Sequence, residues 1–74
     1  MDLADLAPGQ RAIIQHVGGE GAFRRRLLEL GLLPGTEVEH AGTAPLGDPV
    51  AYRIRGAVLS LRRRDARLIL VERS

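Results

Sequence analysis

The sequence predicts a mainly β domain: a small barrel of about five strands with one short helix between the first and second strands. Several short segments alternate apolar and polar residues, as half-buried strands do, and clusters of Gly and Pro separate them. Only one segment spaces its apolar residues as a helix does. The chain has 74 residues, too few for a two-sheet sandwich. One strongly bent sheet closed by the helix, an SH3-like barrel, is the economical arrangement.

Turn residues divide the chain into elements in the order β–α–β–β–β–turn–β. Pro8-Gly9 predicts a turn before the first strand, whose apolar residues fall on both faces, as in a strand covered on both sides or one in a small barrel. Arg55-Gly56 predicts a very tight hairpin connection, and Arg63–Ala66 predicts one helical turn. Residues 41–49 predict a loop. The predicted strands span residues 11–17, 36–40, 50–55, 57–62 and 67–72.

The predicted helix begins near Gly21 and ends at Gly31, where a left-handed residue commonly closes a helix. At about 100° per residue, one stripe of this helix is apolar, and we expect it to anchor the helix to the barrel. Arg25 and Glu29 lie four residues apart on the opposite side and are predicted to pair on the solvent face. The anchoring stripe comprises Phe23, Leu27 and Leu30.

Composition excludes several classes of protein. The chain has no Cys, which excludes disulfides and thiolate metal sites. No apolar run approaches the roughly 20 residues needed to span a bilayer, and the first residues lack the pattern of a signal peptide. All eleven basic residues are Arg, and the net charge is only +2. We therefore expect one domain, residues 1–74, located in the cytoplasm.

The histidines and carboxylates predict neither catalysis nor a metal site. His16 and His40 lie in predicted strands, and no Ser or Cys nearby is placed to act as a nucleophile. Residues 18–21 lack the Gly-Lys-Ser/Thr of a phosphate-binding loop. We therefore predict no enzyme, no catalytic residue and no cofactor. The candidate metal ligands lack the spacing of a dedicated site and are better explained by a solvated strand face (Glu37 and Glu39), an ordinary strand residue (His40) and a turn residue that bonds its own backbone (Asp48).

Two Arg triplets, residues 24–26 and 62–64, raise the question of nucleic-acid binding. Three consecutive helix positions spread over about 200°, so the first triplet cannot form one patch. The only aromatic residues on which bases could stack are Phe23 and Tyr52, and both are expected to be buried. Solvated faces explain the triplets better, so no nucleic-acid partner is expected. A basic nucleic-acid-binding barrel is kept as the alternative.

A set of segments that covers nearly the whole chain resembles the FeoA family, ferrous iron transport protein A. The run Leu-Gly-x-x-Pro-Gly-Thr that ends at Thr36 and the run Gly47-Asp48-Pro49 are the most specific when taken together. One departure is His40, where an aliphatic residue is expected. The similar segments are Pro8–Ile14, Phe23–Leu27, Glu29–Leu32, Pro34–Val38, Ala44–Pro49, Arg55-Gly56, Leu59–Arg62, Asp65-Ala66 and Ile69.

The resemblance implies an SH3-like barrel that acts as the small cytosolic partner of a membrane ferrous-iron transporter carrying a G-protein domain. The same domain also occurs at the C-terminus of iron- and manganese-dependent repressors. A stand-alone relative of that repressor domain is therefore a further alternative. Under the transport hypothesis, the protein meets the membrane only through the transporter.

Leu28 bears on which surface meets a partner, because it falls about 140° from Phe23, outside the anchoring stripe. Either the apolar face is wide because the helix lies across an open barrel end, or Leu28 is exposed and suits a protein partner. The leading hypothesis is a non-enzymatic adaptor whose helix and following turn contact the transporter's cytosolic domain. A module that self-associates through a strand edge is another hypothesis. The residues expected to contact the partner are Arg25, Leu28, Glu29 and Leu32.

Overall fold

The computed structural model describes residues 1–74 and contains one five-stranded antiparallel sheet and two helices. The elements are a 3₁₀ turn at Leu3–Asp5, β1 at Arg11–Val17, α1 at Gly21–Glu29, β2 at Glu37–Thr43, β3 at Val50–Ile54, β4 at Ala57–Leu61, α2 at Arg63–Ala66 and β5 at Ile69–Arg73. In the sheet the strands follow the order β4-β3-β2-β1-β5. The predicted mainly β barrel, with its helix between the first two strands, is confirmed.

Strand β1 pairs with β2 and β5 and carries a bulge. Its register against β5 shifts between Ile14 and His16, so the inward-facing positions change parity there. Ala12 and Ile14 are buried before the bulge and Val17 after it, while Gln15 and His16 are exposed. The mixed apolar pattern of this strand therefore comes from a bulged strand in a small barrel and not from cover on both faces.

Strand β2 is longer than predicted. It continues through Thr43, with a register shift between His40 and Gly42 that keeps it paired with β3. The loop is consequently shorter than predicted and covers residues 44–49. Backbone hydrogen bonds close it, because Ala44 donates to the Pro49 carbonyl at 3.0 Å.

The hairpin of β3 and β4 forms as predicted. The two strands pair without a register shift, from Val50 opposite Leu61 to Ile54 opposite Ala57. The two residues of the Arg55-Gly56 turn have φ angles of +52° and +81°. Positive φ at both central residues is the requirement of a type I′ turn, whose twist matches that of the flanking strands.

Helix α1 ends in a Schellman motif at Gly31, which has the left-handed φ of +104° that this motif needs. The backbone N–H of Leu32 donates to the Leu27 carbonyl, and that of Gly31 donates to the Leu28 carbonyl, both at 3.1 Å. The motif turns the chain inward after the helix. Leu32 therefore packs in the core together with Leu27, and its side chain has no exposed surface.

The core is enclosed by the bent sheet, by α1 and by the N-terminal 3₁₀ turn. Tyr52 is its largest fully buried side chain, and its hydroxyl donates to the Leu3 carbonyl at 3.3 Å. This bond ties the N-terminal turn to β3. The core residues are Leu3, Leu6, Ala12, Ile14, Val17, Leu27, Leu32, Val38, Val50, Tyr52, Ile54, Leu61, Ala66, Ile69 and Val71.

The loop at residues 44–49 is held against α2 by two bonds to Arg63. The Asp48 carboxylate accepts a hydrogen bond from the backbone N–H of Arg63 at 3.0 Å. The Arg63 guanidinium donates to the Gly47 carbonyl at 2.6 Å. The prediction that Asp48 bonds the backbone of its own turn was wrong, because it caps the N-terminus of a helix that lies 15 residues further along the chain.

Candidate functional site

Helix α1 is rotated about its axis relative to the prediction. Its core-facing side is centred on Arg24, with Leu27 buried on one flank and Leu28 half-buried against the core on the other. The Arg24 guanidinium donates to the Val17 carbonyl at 2.9 Å, which fixes this rotation. Of the predicted anchoring stripe, only Leu27 is buried. The other two members, Phe23 and Leu30, are exposed.

The rotation creates an apolar groove between α1 and β4, with a volume of about 400 Å³. Phe23 and Leu30 form its helix side, with 36% and 48% of their surface exposed. Arg26 is the only charged residue in the lining. An exposed apolar concavity with a charged rim is typical of surfaces that bind other proteins. The groove is lined by Phe23, Arg26, Leu27, Leu30, Leu59, Ser60 and Leu61.

Strand β4 forms both a wall of the groove and an edge of the sheet. In an antiparallel pair, hydrogen-bonded and non-hydrogen-bonded positions alternate. The two-residue turn makes Ala57 a hydrogen-bonded position, so Leu59 and Leu61 are bonded to β3 as well. Val58 and Ser60 therefore point their backbone N–H and C=O groups outward from the free edge, beside the groove.

The four residues predicted to contact a partner do not share one surface. Arg25 and Glu29 are exposed, Leu28 is half-buried against the core, and Leu32 is fully buried. The expectation for Leu32 was wrong, because the Schellman motif directs its side chain inward. Neither alternative for Leu28 holds as stated, because the buried face of α1 is shifted toward Arg24 and Leu28 and is not widened, and Leu28 is half-buried against the core. The predicted Arg25–Glu29 pair is not formed, since the two ion pairs of the molecule join other residues.

Each Arg triplet contains one residue with a structural role. Arg24 and Arg63 are half-buried and donate to backbone carbonyls. The other four residues of the triplets are exposed, as a solvated face requires. The expectation that Phe23 is buried was wrong, whereas Tyr52 is fully buried as predicted.

The outer face of the sheet carries a row of alternating charges. Arg11 in β1 lies opposite Glu39 in β2, which in turn lies opposite Arg53 in β3. Glu39 and Arg53 form an ion pair at 3.1 Å. With Glu37 and Arg55 these residues line a shallow concavity of about 380 Å³ that has no apolar residue in its lining. Glu37 and Glu39 thus lie on a charged strand face, as predicted.

His40 is a buried titratable residue of β2 with an unsatisfied side-chain nitrogen. It is 3% exposed, and its Nδ1 has no hydrogen-bond partner. Its ring packs edge to face on Tyr52, with 5.8 Å between the ring centroids. Burial lowers the pKa of His40 below its ordinary value and raises the pKa of Tyr52 to about 12. Both rings are thus held neutral at pH 7.

The remaining chemistry-bearing side chains are dispersed. No three His, Cys, Asp or Glu side chains converge on one point. His16 is exposed on β1, on the far side of the bulge from Ile14. No helix has the length and apolar content needed to cross a membrane.

The bent five-stranded sheet, with α1 between β1 and β2, defines an SH3-like barrel with an exposed apolar groove beside its free edge. The FeoA domain matches residues 1–73. The chain therefore belongs to the FeoA family, as the sequence resemblance predicted.

Relatives of known structure have the same fold. FeoA from Chlorobium tepidum, solved in solution by NMR, is 41% identical, with a TM-score of 0.93 over 99% of this chain and 70% of that one. FeoA from Stenotrophomonas maltophilia, a prokaryotic SH3 domain protein crystallised with zinc, is 29% identical, with a TM-score of 0.87 over 97% of this chain and 89% of that one.

A curated relative joins this domain to a transporter in one polypeptide. It is the Fe(2+) transport protein A/Fe(2+) transporter FeoB fusion protein of Porphyromonas gingivalis, which is 47% identical over 72 residues. The match covers 97% of this chain and 8% of the fusion protein. The chain thus corresponds to one small module of that larger protein.

Proposed function

We propose that this protein is a non-enzymatic accessory module of ferrous-iron uptake, which acts in the cytoplasm by binding the cytosolic domain of a membrane ferrous-iron transporter. Membership of the FeoA family supports the link to iron transport, and the FeoA/FeoB fusion in P. gingivalis supports the transporter as partner. The observation that carries the proposal is the groove between α1 and β4, because it offers an apolar surface that a protein partner can cover.

Burial of the groove by the partner would contribute to the free energy of binding. Full burial of a Leu or Phe side chain contributes about 1.5–3 kcal/mol relative to leaving it in water. Phe23 and Leu30 have a third to a half of their surface exposed. Covering what remains of both would thus contribute roughly 2 kcal/mol in total. If the transporter's G-protein domain binds this protein more tightly in one nucleotide state than in the other, binding shifts the domain toward that state. The size of the shift equals the difference between the two binding free energies.

The exposed members of the predicted contact set are proposed as peripheral contacts. Arg25 and Glu29 are exposed on the side of α1 that faces away from the core. Glu29 is about 60° from Arg26 around the helix, so a partner that fills the groove reaches it before Arg25. Leu28 is not included, because it lies about 140° from Phe23, on the flank of α1 away from the groove. Leu32 is not included, because it lies in the core.

The proposal is tested by titrating the purified cytosolic domain of the transporter with the protein and with a Leu30→Asp variant. We expect the substitution to weaken binding at least tenfold, because it places a charge on the apolar helix side of the groove. The exposed half of Leu30 allows the variant to fold, which a melting curve verifies.

Leu46→Asp is the matched control. It is the same substitution at an exposed loop position, where 98% of the surface of Leu46 is accessible to solvent. It is expected to bind like the unmodified protein. Equal affinity of a folded Leu30→Asp variant and the unmodified protein would exclude the groove as the contact surface. Loss of binding in both variants would show a general effect of added negative charge.

The nucleic-acid alternative has less support from the structure. Arg24 and Arg63 are engaged with backbone carbonyls, and Arg53 is paired with Glu39. Tyr52 is fully buried and offers no stacking platform. We therefore propose that nucleic acid is not a partner of this protein.

A further inference from the structure

We propose that the partner contributes an extended segment that adds to the sheet along the free edge of β4, with an apolar side chain in the groove and an acidic side chain next to Arg26. This inference deepens the proposed function and rests on it, since it states how the transporter's cytosolic domain is bound. Strand addition is a known mode of peptide recognition in which backbone bonds give affinity and adjoining pockets give specificity.

The two edge strands of the sheet, β5 and β4, differ in whether another segment of the chain covers them. At the β5 edge, the backbone N–H of Val71 donates to the Met1 carbonyl at 2.9 Å, and Asp2 forms a bridge to Leu70. The N-terminal segment therefore already occupies that edge. At the β4 edge, the outward backbone groups of Val58 and Ser60 have no such cover. An added strand consequently has only the β4 edge to pair with.

The groove lies where a strand added to β4 would place its side chains. Leu59, Ser60 and Leu61 of β4 form one wall, and α1 forms the other. Side chains of an extended segment that point to the same face are about 7 Å apart. A segment paired with Val58 and Ser60 would therefore direct one side chain into the groove, against Phe23 and Leu30.

The positive charges around the groove and the β4 edge indicate which residues the added segment should contain. Arg26 is the only charged residue that lines the groove, and no Asp or Glu lines it. The exposed Arg62 follows the C-terminal end of β4, and Arg55 precedes its N-terminal end. The free edge is thus flanked by positive charges at both ends. An acidic and apolar segment is favoured there.

The same charges disfavour a second copy of this chain as the occupant. Antiparallel pairing of two β4 strands would bring the Arg triplet after one strand close to Arg55 of the other. Like charges placed opposite each other across paired strands are destabilising. The edge therefore suits an acidic segment of a different protein better than it suits self-association.

The test is amide hydrogen exchange on the unmodified full chain, with and without the purified cytosolic domain of the transporter. We expect the amides of Val58 and Ser60 to become at least a hundredfold more protected in the complex, because each gains a backbone acceptor. The amide of Val71, which already has an acceptor, serves as the internal reference. No substitution is needed, so folding of a variant is not in question.

The outcomes distinguish this inference from the proposed function. Binding without protection of Val58 and Ser60 would overturn strand addition and leave the proposed function standing, whereas no binding at all would overturn both. Protection that rises with protein concentration in the absence of the transporter domain would identify a second copy as the occupant and contradict the choice of partner.

The acidic character of the segment is tested by charge reversal. We expect Arg26→Glu to weaken binding at least tenfold at low salt and less at high salt, because salt screens exposed charges. Arg73→Glu is the matched control, because Arg73 is exposed on β5, at the opposite edge of the sheet and outside the groove lining, and it is expected to change affinity less than threefold. Equal effects of the two substitutions would contradict an acidic side chain next to Arg26.

Discussion

At the residue scale, His40 is the least expected feature of the barrel. It occupies an inward position of β2, where the family resemblance predicts an aliphatic residue, and its Nδ1 has no hydrogen-bond partner. Burial is the largest influence on its pKa and lowers it, so the folded protein favours the neutral ring. Tyr52, which packs against it, stays protonated over the same pH range.

This environment makes the stability of the protein depend on pH. The folded-state pKa of His40 lies below its unfolded value of 6.5, so the unfolded chain takes up the proton more readily. The stability contributed by neutral His40 is present above pH 6.5 and is lost as the pH falls from 6.5 toward the folded-state pKa. Unfolding in urea at pH 7.5 and 5.5 should show a smaller loss of stability at low pH for His40→Leu than for the unmodified protein.

The exposed His16 provides the control for the pH experiment. His16→Gln is expected to retain the pH dependence of the unmodified protein, since His16 lies outside the core. A His40→Leu protein with the same pH dependence as the unmodified chain would show that His40 is not the group responsible.

Arg24 determines which side of α1 faces the core, through its bond to the Val17 carbonyl. We expect Arg24→Met to lower the free energy of unfolding by about 1.5–3 kcal/mol, the usual contribution of a hydrogen bond with a charged donor. Arg25→Met, an identical change at an exposed position, should change it by less than about 0.5 kcal/mol. Urea denaturation measures both. Similar values for the two variants would show that the bond does not hold the helix in place.

At the element scale, the strands and the hairpin were predictable because their signals are local. Alternation over Val50–Ile54 and the Arg55-Gly56 turn determine a hairpin without reference to the rest of the chain. The bulge in β1 was not predictable in this way, because it depends on the pairing with β5, more than 50 residues away. The face of α1 was also misjudged, since periodicity counts Arg24 as polar although it is half-buried and bonded to the Val17 carbonyl.

The connection between the loop and α2 gives a further prediction at this scale. Asp48→Ala removes the acceptor for the backbone N–H of Arg63 and should cost about 1 kcal/mol of stability, as the loss of a helix cap does. Asp48→Asn keeps a side-chain oxygen that can accept this hydrogen bond, so this variant should retain most of the stability that the Ala variant loses. The midpoint of urea unfolding reports both. An Asn variant as unstable as the Ala variant would show that this hydrogen bond is not the source of the stability.

At the scale of the whole molecule, the fold leaves one sheet edge and one apolar groove free on the same side. The N-terminal segment covers the β5 edge, and the rotation of α1 exposes Phe23 and Leu30 beside β4. The groove could not be predicted from the sequence, because α1 and β4 are far apart in the chain and only the tertiary fold places them side by side. The family could be predicted, since its signal is spread over turns and strand ends along the entire chain.

The central claim is that the groove between α1 and β4 binds the cytosolic domain of the transporter. The most direct test is the affinity of that domain for the unmodified protein, for Leu30→Asp and for Leu46→Asp, measured by calorimetric titration in one buffer. We expect the affinity to fall at least tenfold for Leu30→Asp and to be unchanged for Leu46→Asp. Unchanged affinity of a folded Leu30→Asp variant would contradict it.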